Sequence, residues 1–207
     1  MSTIENERRP ESAASRAQTK ALTRAKLLEA ARDVFITTGY RGATLDSIAA
    51  RAGFTKGAVY WHFPNKQALF LALVADSISV NFALIERMLK ELGDDPEALR
   101  SALSAYADTI DERETLPLFG VDLEIEARGD SSFRALHRGL IDQHEAGLAK
   151  FLGEYFAAVG EQPAMPLDQL ASTLIALFKG FALSRQNRSD MPVTSAKAVR
   201  ILLGLPH

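Results

Sequence analysis

Residues 53–70, GFTKGAVYWHFPNKQALF, decide how this chain folds. Tyr60, Trp61, His62 and Phe63 stand in a row, Pro64 stops the run, and Asn65 restarts it. Successive helical residues point about 100° apart, so four consecutive rings cannot all face one core. Some of them meet water or a partner. Thr55 has the chemistry of an N-cap for a short helix, KGAVYW, which Pro64 closes. Just upstream, Thr44 caps a second short helix, LDSIAARA, with Leu45, Ile48 and Ala49 inward and Gly53 as its stop. Before both, Leu27, Leu28, Ala31, Val34 and Phe35 recur at helical spacing from Lys20 to Thr38, and Gly39 ends that run. Three helices in about 50 residues, the last two brief and joined by a tight Gly-containing turn, form a helix-turn-helix pattern.

Outward from this motif the pattern stays helical. Asn65 caps a segment from Lys66 to about Leu92, about 40 Å long at 1.5 Å per residue. Pro96 opens a helix to about Ile110 after the turn Gly93-Asp94-Asp95. Further helices are expected over Leu116–Arg128, Ser132 to about Ala158, Leu167–Gln186 and Thr194–Leu203, with breaks at Gly129-Asp130-Ser131 and at GEQPAMP. No stretch alternates as a strand does. The expectation is an all-α fold of about nine helices. Its parts are a disordered arm (1–18), a helix-turn-helix domain (19–66) and a helical ligand-binding and dimerisation domain (67–207).

Composition narrows the class. The 207 residues are 47% apolar and include no cysteine, which excludes disulfides and thiolate metal sites and fits a reducing cytoplasm. The first 20 residues hold no apolar leader-like run. No uninterrupted apolar run approaches the roughly 18 residues of a membrane span, so no membrane partner is expected. The net charge of −2 hides an asymmetry. Residues 1–66 carry 11 Lys/Arg against 6 Asp/Glu, and the remainder carries 13 against 20. A basic N-terminal third on an acidic body points to a polyanion at that end only.

The residues VFITTGY followed by ATLDSIAARAGFTKGAVYWHFPNKQALF resemble the N-terminal domain of the tetracycline-repressor (TetR) family of bacterial transcriptional regulators. The spacing from Thr44 through Ile48, Ala49, Gly53, Gly57, Tyr60, His62, Phe63 and Lys66 to Leu69 carries the likeness. The resemblance implies a DNA-binding regulator, most often a repressor, that sits as a homodimer on a palindromic operator and is released by a small hydrophobic or amphipathic effector. In a helix-turn-helix the second helix enters the major groove while flanking groups grip phosphates. Thr44 can cap its helix and offer a phosphate contact at once. Thr55, Lys56 and Gly57 open the recognition helix, with Lys56 the candidate for reading guanine and Gly57 allowing close approach. Tyr60 and His62 match the family's phosphate-contacting positions, and Lys66 adds a point charge. Phe63 and Val59 are expected to pack inward against Leu27, Val34 and Ile48. Trp61 stands between core and DNA. Arg16, Lys20 and Arg24 can reach flanking phosphates or a minor groove.

For the rest of the chain the expectations are these. The dimer interface is assigned to the last two helices, through Leu170, Leu174, Leu177, Phe181, Val199 and Leu202, with Phe178, Leu183 and Leu203 in the same apolar set. Phe82, Met88, Tyr106, Phe119, Glu124, His144 and Phe178 are candidate walls of an effector pocket. No cofactor is implied. His137 and His144 lie about 10 Å apart along a helix, too far to share one metal ion. No nucleophile elbow, phosphate loop or metal-ligand spacing suggests an enzyme.

Overall fold

A computed structural model describes residues 13–93, 95–110, 115–185 and 193–206, apart from the side chains of residues 13, 14 and 115–118. Among them are nine α-helices and no strand: α1 (Ala13–Gly42), α2 (Leu45–Ala52), α3 (Lys56–His62), α4 (Lys66–Leu92), α5 (Pro96–Ile110), α6 (Thr115–Gly129), α7 (Ser131–Val159), α8 (Leu167–Arg185) and α9 (Ser195–Leu203). The all-α expectation holds. The caps explain why the boundaries fall where they do. Thr44, Thr55 and Thr194 each accept a hydrogen bond from a backbone N–H three residues on. Gly53, with φ 70°, takes the left-handed conformation that closes α2 at low cost.

The chain divides into two compact units, residues 1–70 and 71–207, with the boundary inside α4. In the first, Leu27, Ala31, Phe35, Ile48, Val59, Leu69 and Phe70 are buried together with Phe63. Val34, expected among them, is only half-buried. Arg51 of α2 ties back to Asp33 of α1 through Nε (3.1 Å) and Nη2 (2.6 Å) on one carboxylate oxygen. α1 differs from expectation at its start. It starts at Ala13, so residues 13–18 are helical rather than part of a disordered arm; residues 1–12 lie outside the described part. At Gly39, with φ 69° and ψ 170°, the helix is interrupted as expected, and a short further turn carries the chain to Gly42.

In the second unit, Leu99, Leu103, Leu152, Tyr155, Leu170, Leu174, Val199 and Leu203 form one buried cluster contributed by α5, α7, α8 and α9. Phe119 and Leu123 of α6 are buried as well. Arg200 fixes the chain's end: it donates to Ser104 Oγ (2.9 Å) and pairs with Asp108 (2.6 Å), while Ser104 donates to the Pro206 carbonyl (3.0 Å). By length and composition α4 is apolar enough to cross a membrane, although its apolar run is not uninterrupted. Asp76, Ser77 and Asn81 interrupt it, and Leu69, Phe70, Leu73, Val74, Ile78 and Ile85 are buried within the protein, as in a core helix.

Candidate nucleic-acid interface

α3 divides its side chains cleanly. Val59 and Phe63, four apart, point into the core, while Thr55, Lys56, Gly57, Tyr60 and Trp61 lie on the exposed side. Tyr60 is 47% exposed and Trp61 65%. Trp61, left open by the sequence, therefore belongs to the surface. Its ring meets His62 edge-on at 4.7 Å, and Lys20 Nζ stands over it at 4.6 Å. Arg24 lies over the Phe63 ring at 5.5 Å.

The caps do double work. Thr44 Oγ1 accepts from Ser47 N (3.0 Å), and Ser47 Oγ accepts from Thr44 N (3.1 Å), a reciprocal box that leaves Thr44 exposed. Thr55 Oγ1 accepts from Ala58 N at 3.2 Å. His62 is half-buried, and its burial, followed by the charges of Lys20 and Arg24, lowers its pKa below the usual 6.5. It is a neutral imidazole at pH 7, able to donate one N–H.

Two lysines have partners within the chain that the sequence did not show. Lys56 pairs with Asp46 of α2 at 2.8 Å, and this hydrogen bond raises its pKa. Both partners are well exposed, so the pair is weak and opens readily. Lys66, expected to be a phosphate contact, is spent inside: its Nζ donates to the carbonyls of Tyr40 (2.8 Å) and Ala43 (3.1 Å) and lies 4.3 Å from the Tyr40 ring centroid. It acts as a cap on the end of α1. Both partners were missed because nothing local marks them; Asp46 is ten residues away, and the two carbonyls are 26 and 23 residues away.

The expected effector walls fall into separate groups. Met88, Tyr106 and Phe178 pack on the buried cluster of the second unit, and Tyr106 donates to Asn81 Oδ1 (3.0 Å). Phe82 meets His144 edge-on at 5.7 Å and lies so close to Gly147 that any side chain there would strike its ring. Glu124 of α6 pairs with Lys179 of α8, and Phe119 is buried nearby in sequence. Burial first, then the Lys179 ammonium, drives the His144 pKa down to about 4 against the pull of Glu145. His137 is shifted down for the same leading reason, and its Nε2 is buried without a hydrogen-bond partner. A cleft of about 460 Å³ between α4 and α7 is lined by Glu86, Leu89, Lys90, Gly93, Lys150, Glu154 and Ala158, none of them expected walls. Among the described residues no cluster of three His, Asp or Glu could hold a metal ion.

The dimer assignment needs correction. Leu170, Leu174 and Val199 are buried in the chain's own core and have no face to offer a partner. Leu177, Phe181 and Leu202 are half-buried. The outward face of α8 instead carries Gln169, Ser172, Ala176, Gly180 and Leu183, and Ile201 is 63% exposed on α9. Sequence periodicity marked these helices as apolar on several sides but did not say which side faced the core.

A short capped helix presenting polar, aromatic and glycine positions outward, braced by a second across a tight turn, defines an all-α protein with a helix-turn-helix module. Residues 27–73 match the family model for bacterial regulatory proteins of the tetR family. Among curated proteins it is 36% identical over 88 residues to the HTH-type transcriptional activator FasR of Mycolicibacterium smegmatis, covering 42% of this chain and 40% of that one. It is 38% identical over 92 residues to the probable acrEF/envCD operon repressor of Escherichia coli, covering 44% and 42%. The chain thus spans less than half the length of either relative. Its fold is similar to that of FadR from Bacillus subtilis, solved in complex with stearoyl-CoA, with a TM-score of 0.63 at 17% identity over 87% of this chain and 95% of that one.

Proposed function

We propose that the protein is a ligand-responsive transcriptional repressor, not an enzyme, that binds a palindromic operator as a homodimer in the cytoplasm. The observation that carries this reading is the split of α3: Val59 and Phe63 anchor it, while Thr55, Lys56, Gly57, Tyr60 and Trp61 are exposed. One seven-residue helix makes few base contacts, and pairing two on a two-fold site is the usual remedy. The small residues Ala176 and Gly180, exposed on α8, allow another helix to approach closely and support α8 as part of the dimer contact. The effector is a small hydrophobic or amphipathic molecule, a reading supported by the apolar second unit and by the acyl-CoA complex of the FadR neighbour. Its effect on DNA affinity equals its preference for one of two arrangements of the dimer.

The test is binding to duplexes selected by the protein from a random pool, read by fluorescence anisotropy. Specific binding that weakens steeply with salt is expected; an unselective protein overturns the reading. Tyr60→Phe is expected to weaken all sites about equally, because a phosphate contact carries no sequence information. The Lys56–Asp46 pair makes a further prediction. Asp46→Asn frees the Lys56 ammonium and removes a carboxylate from the DNA side of the module. Binding to random duplex should tighten, with a salt dependence steeper by about one unit. Lys56→Ala in the same assay should relax sequence choice. An Asp46→Asn protein with the parent's salt slope shows that Lys56 is already released on DNA.

A further inference from the structure

The first half of α1 is a helix without a core. From Arg16 to Lys26 only Thr23 is partly covered, and every other side chain is exposed. Alanines at 13, 14, 17, 21 and 25 explain why it is helical nonetheless, since alanine, arginine, lysine and glutamine are strong helix formers. Propensity alone leaves so short a stretch marginal in water. The charge is one-sided. Residues 13–26 hold Arg16, Lys20, Arg24 and Lys26 and no carboxylate. Arg16, Lys20 and Arg24 recur every four residues, so they form one stripe with charges about 6 Å apart along the axis. None of the three has a carboxylate partner among the described residues. The stripe is also placed: Lys20 stands over Trp61 and Arg24 over Phe63, so it runs beside the C-terminal end of the recognition helix.

We propose that this stripe is a phosphate rail: Arg16, Lys20 and Arg24 lie along the sugar-phosphate backbone flanking the recognition helix, and Lys20 exchanges its place over the Trp61 ring for a phosphate when DNA arrives. The inference rests on the DNA-binding reading above and adds a second contact surface to it. Its helical form decides between the two roles the sequence left open. A helix with its side chains is about 10–12 Å across, whereas the minor groove is about 6 Å wide, so this segment cannot thread the groove as an extended arm does. Contact with phosphates alone adds affinity and no sequence choice. A helix marginal on its own is steadied by the same contact, because DNA neutralises the mutual repulsion of its like charges.

The experiment compares the full chain with a variant carrying Arg16→Gln, Lys20→Gln and Arg24→Gln; glutamine preserves helix propensity and removes the charge. Anisotropy is followed from low to high salt on a duplex selected by the parent protein and on a random duplex of equal length. The slope of log affinity against log salt should fall by about 2.7 units per protomer, three contacts at about 0.9 each. The ratio of selected to random affinity should stay unchanged. Trp61 fluorescence, perturbed by DNA in the parent, should start in the free variant at the value that Lys20→Gln alone produces. An unchanged slope overturns the rail, as does a changed base preference at positions flanking the site, which would mean groove reading. If the parent itself binds no duplex selectively, it is the regulator reading that fails, not the rail. Far-UV circular dichroism checks that the variant is folded; if it is not, the single variants carry the test, each at about one third of the slope change.

Discussion

Phe70→Ala is expected to destabilise the protein by about 3–5 kcal/mol, the range for removing a large buried aromatic side chain. Phe70 is fully buried, and its ring sits 4.8 Å from Phe35 and 4.7 Å from Tyr40, which themselves stack at 5.9 Å. Such ring pairs add about 0.5–1.5 kcal/mol beyond the area they bury. The loss would not stay local. The Tyr40 carbonyl receives Lys66, whose ammonium also rests over the Tyr40 ring, and the Ala43 carbonyl beside the Thr44 cap receives the same ammonium. Removing Phe70 loosens the end of α1 from which α2, and then α3, is hung. DNA binding should therefore fall with stability. Urea unfolding of the full chain measures the first effect and anisotropy on a selected duplex the second. Phe70→Leu, which keeps the site apolar and nearly filled, should recover most of both. A loss below about 1 kcal/mol for the alanine variant would mean that the three rings are not a cooperative cluster.

This aromatic knot shows what the sequence reveals and what it withholds. Helix ends were legible because capping is local chemistry. Thr44, Thr55, Asp130 and Thr194 close bonds to backbone groups two or three residues away, and Gly53 needs only its own φ. The inward turn of Val59 and Phe63 was legible because period 3.6 and the proline stop allow one arrangement. The partners of Lys66 were not legible because they are carbonyls, which every residue has, lying just past the helix break at Gly39. Lys56 was expected to be free because an exposed ion pair between helices leaves no pattern in sequence. The burial of Leu170, Leu174 and Val199 in the chain's own core was not legible for a different reason. In helices with apolar residues on several sides, hydrophobicity says that two surfaces are covered but not which one the chain covers itself.

Acid is expected to destabilise the fold through His144 well before most carboxylates titrate. The folded-state pKa is about 4, held down by burial and then by the Lys179 ammonium, while the unfolded chain has the ordinary value of 6.5. The unfolded state therefore binds a proton first as pH falls. Stability from this group is complete above pH 6.5, declines through the window down to pH 4, and changes no further below it. At 1.36 kcal/mol per pKa unit, a group neutral when folded and charged when unfolded costs about 2–3 kcal/mol between pH 7 and 4.5. His137 is shifted in the same direction by burial and Lys179, opposed by Glu124, and so adds to the same slope. The groups that face His144 define the control. Lys179 comes from α8, Glu145 from its own helix, where it accepts from Ser172 Oγ at 2.7 Å, and Phe82 presents an uncharged ring from α4. His144→Gln keeps a polar side chain there and cannot titrate. Chemical unfolding of parent and variant at pH 7 and 4.5 should show the parent losing about 2–3 kcal/mol more than the variant over that interval. Parallel losses would place the His144 imidazole in water rather than packed against Phe82 of α4, and would remove it from any account of acid sensitivity.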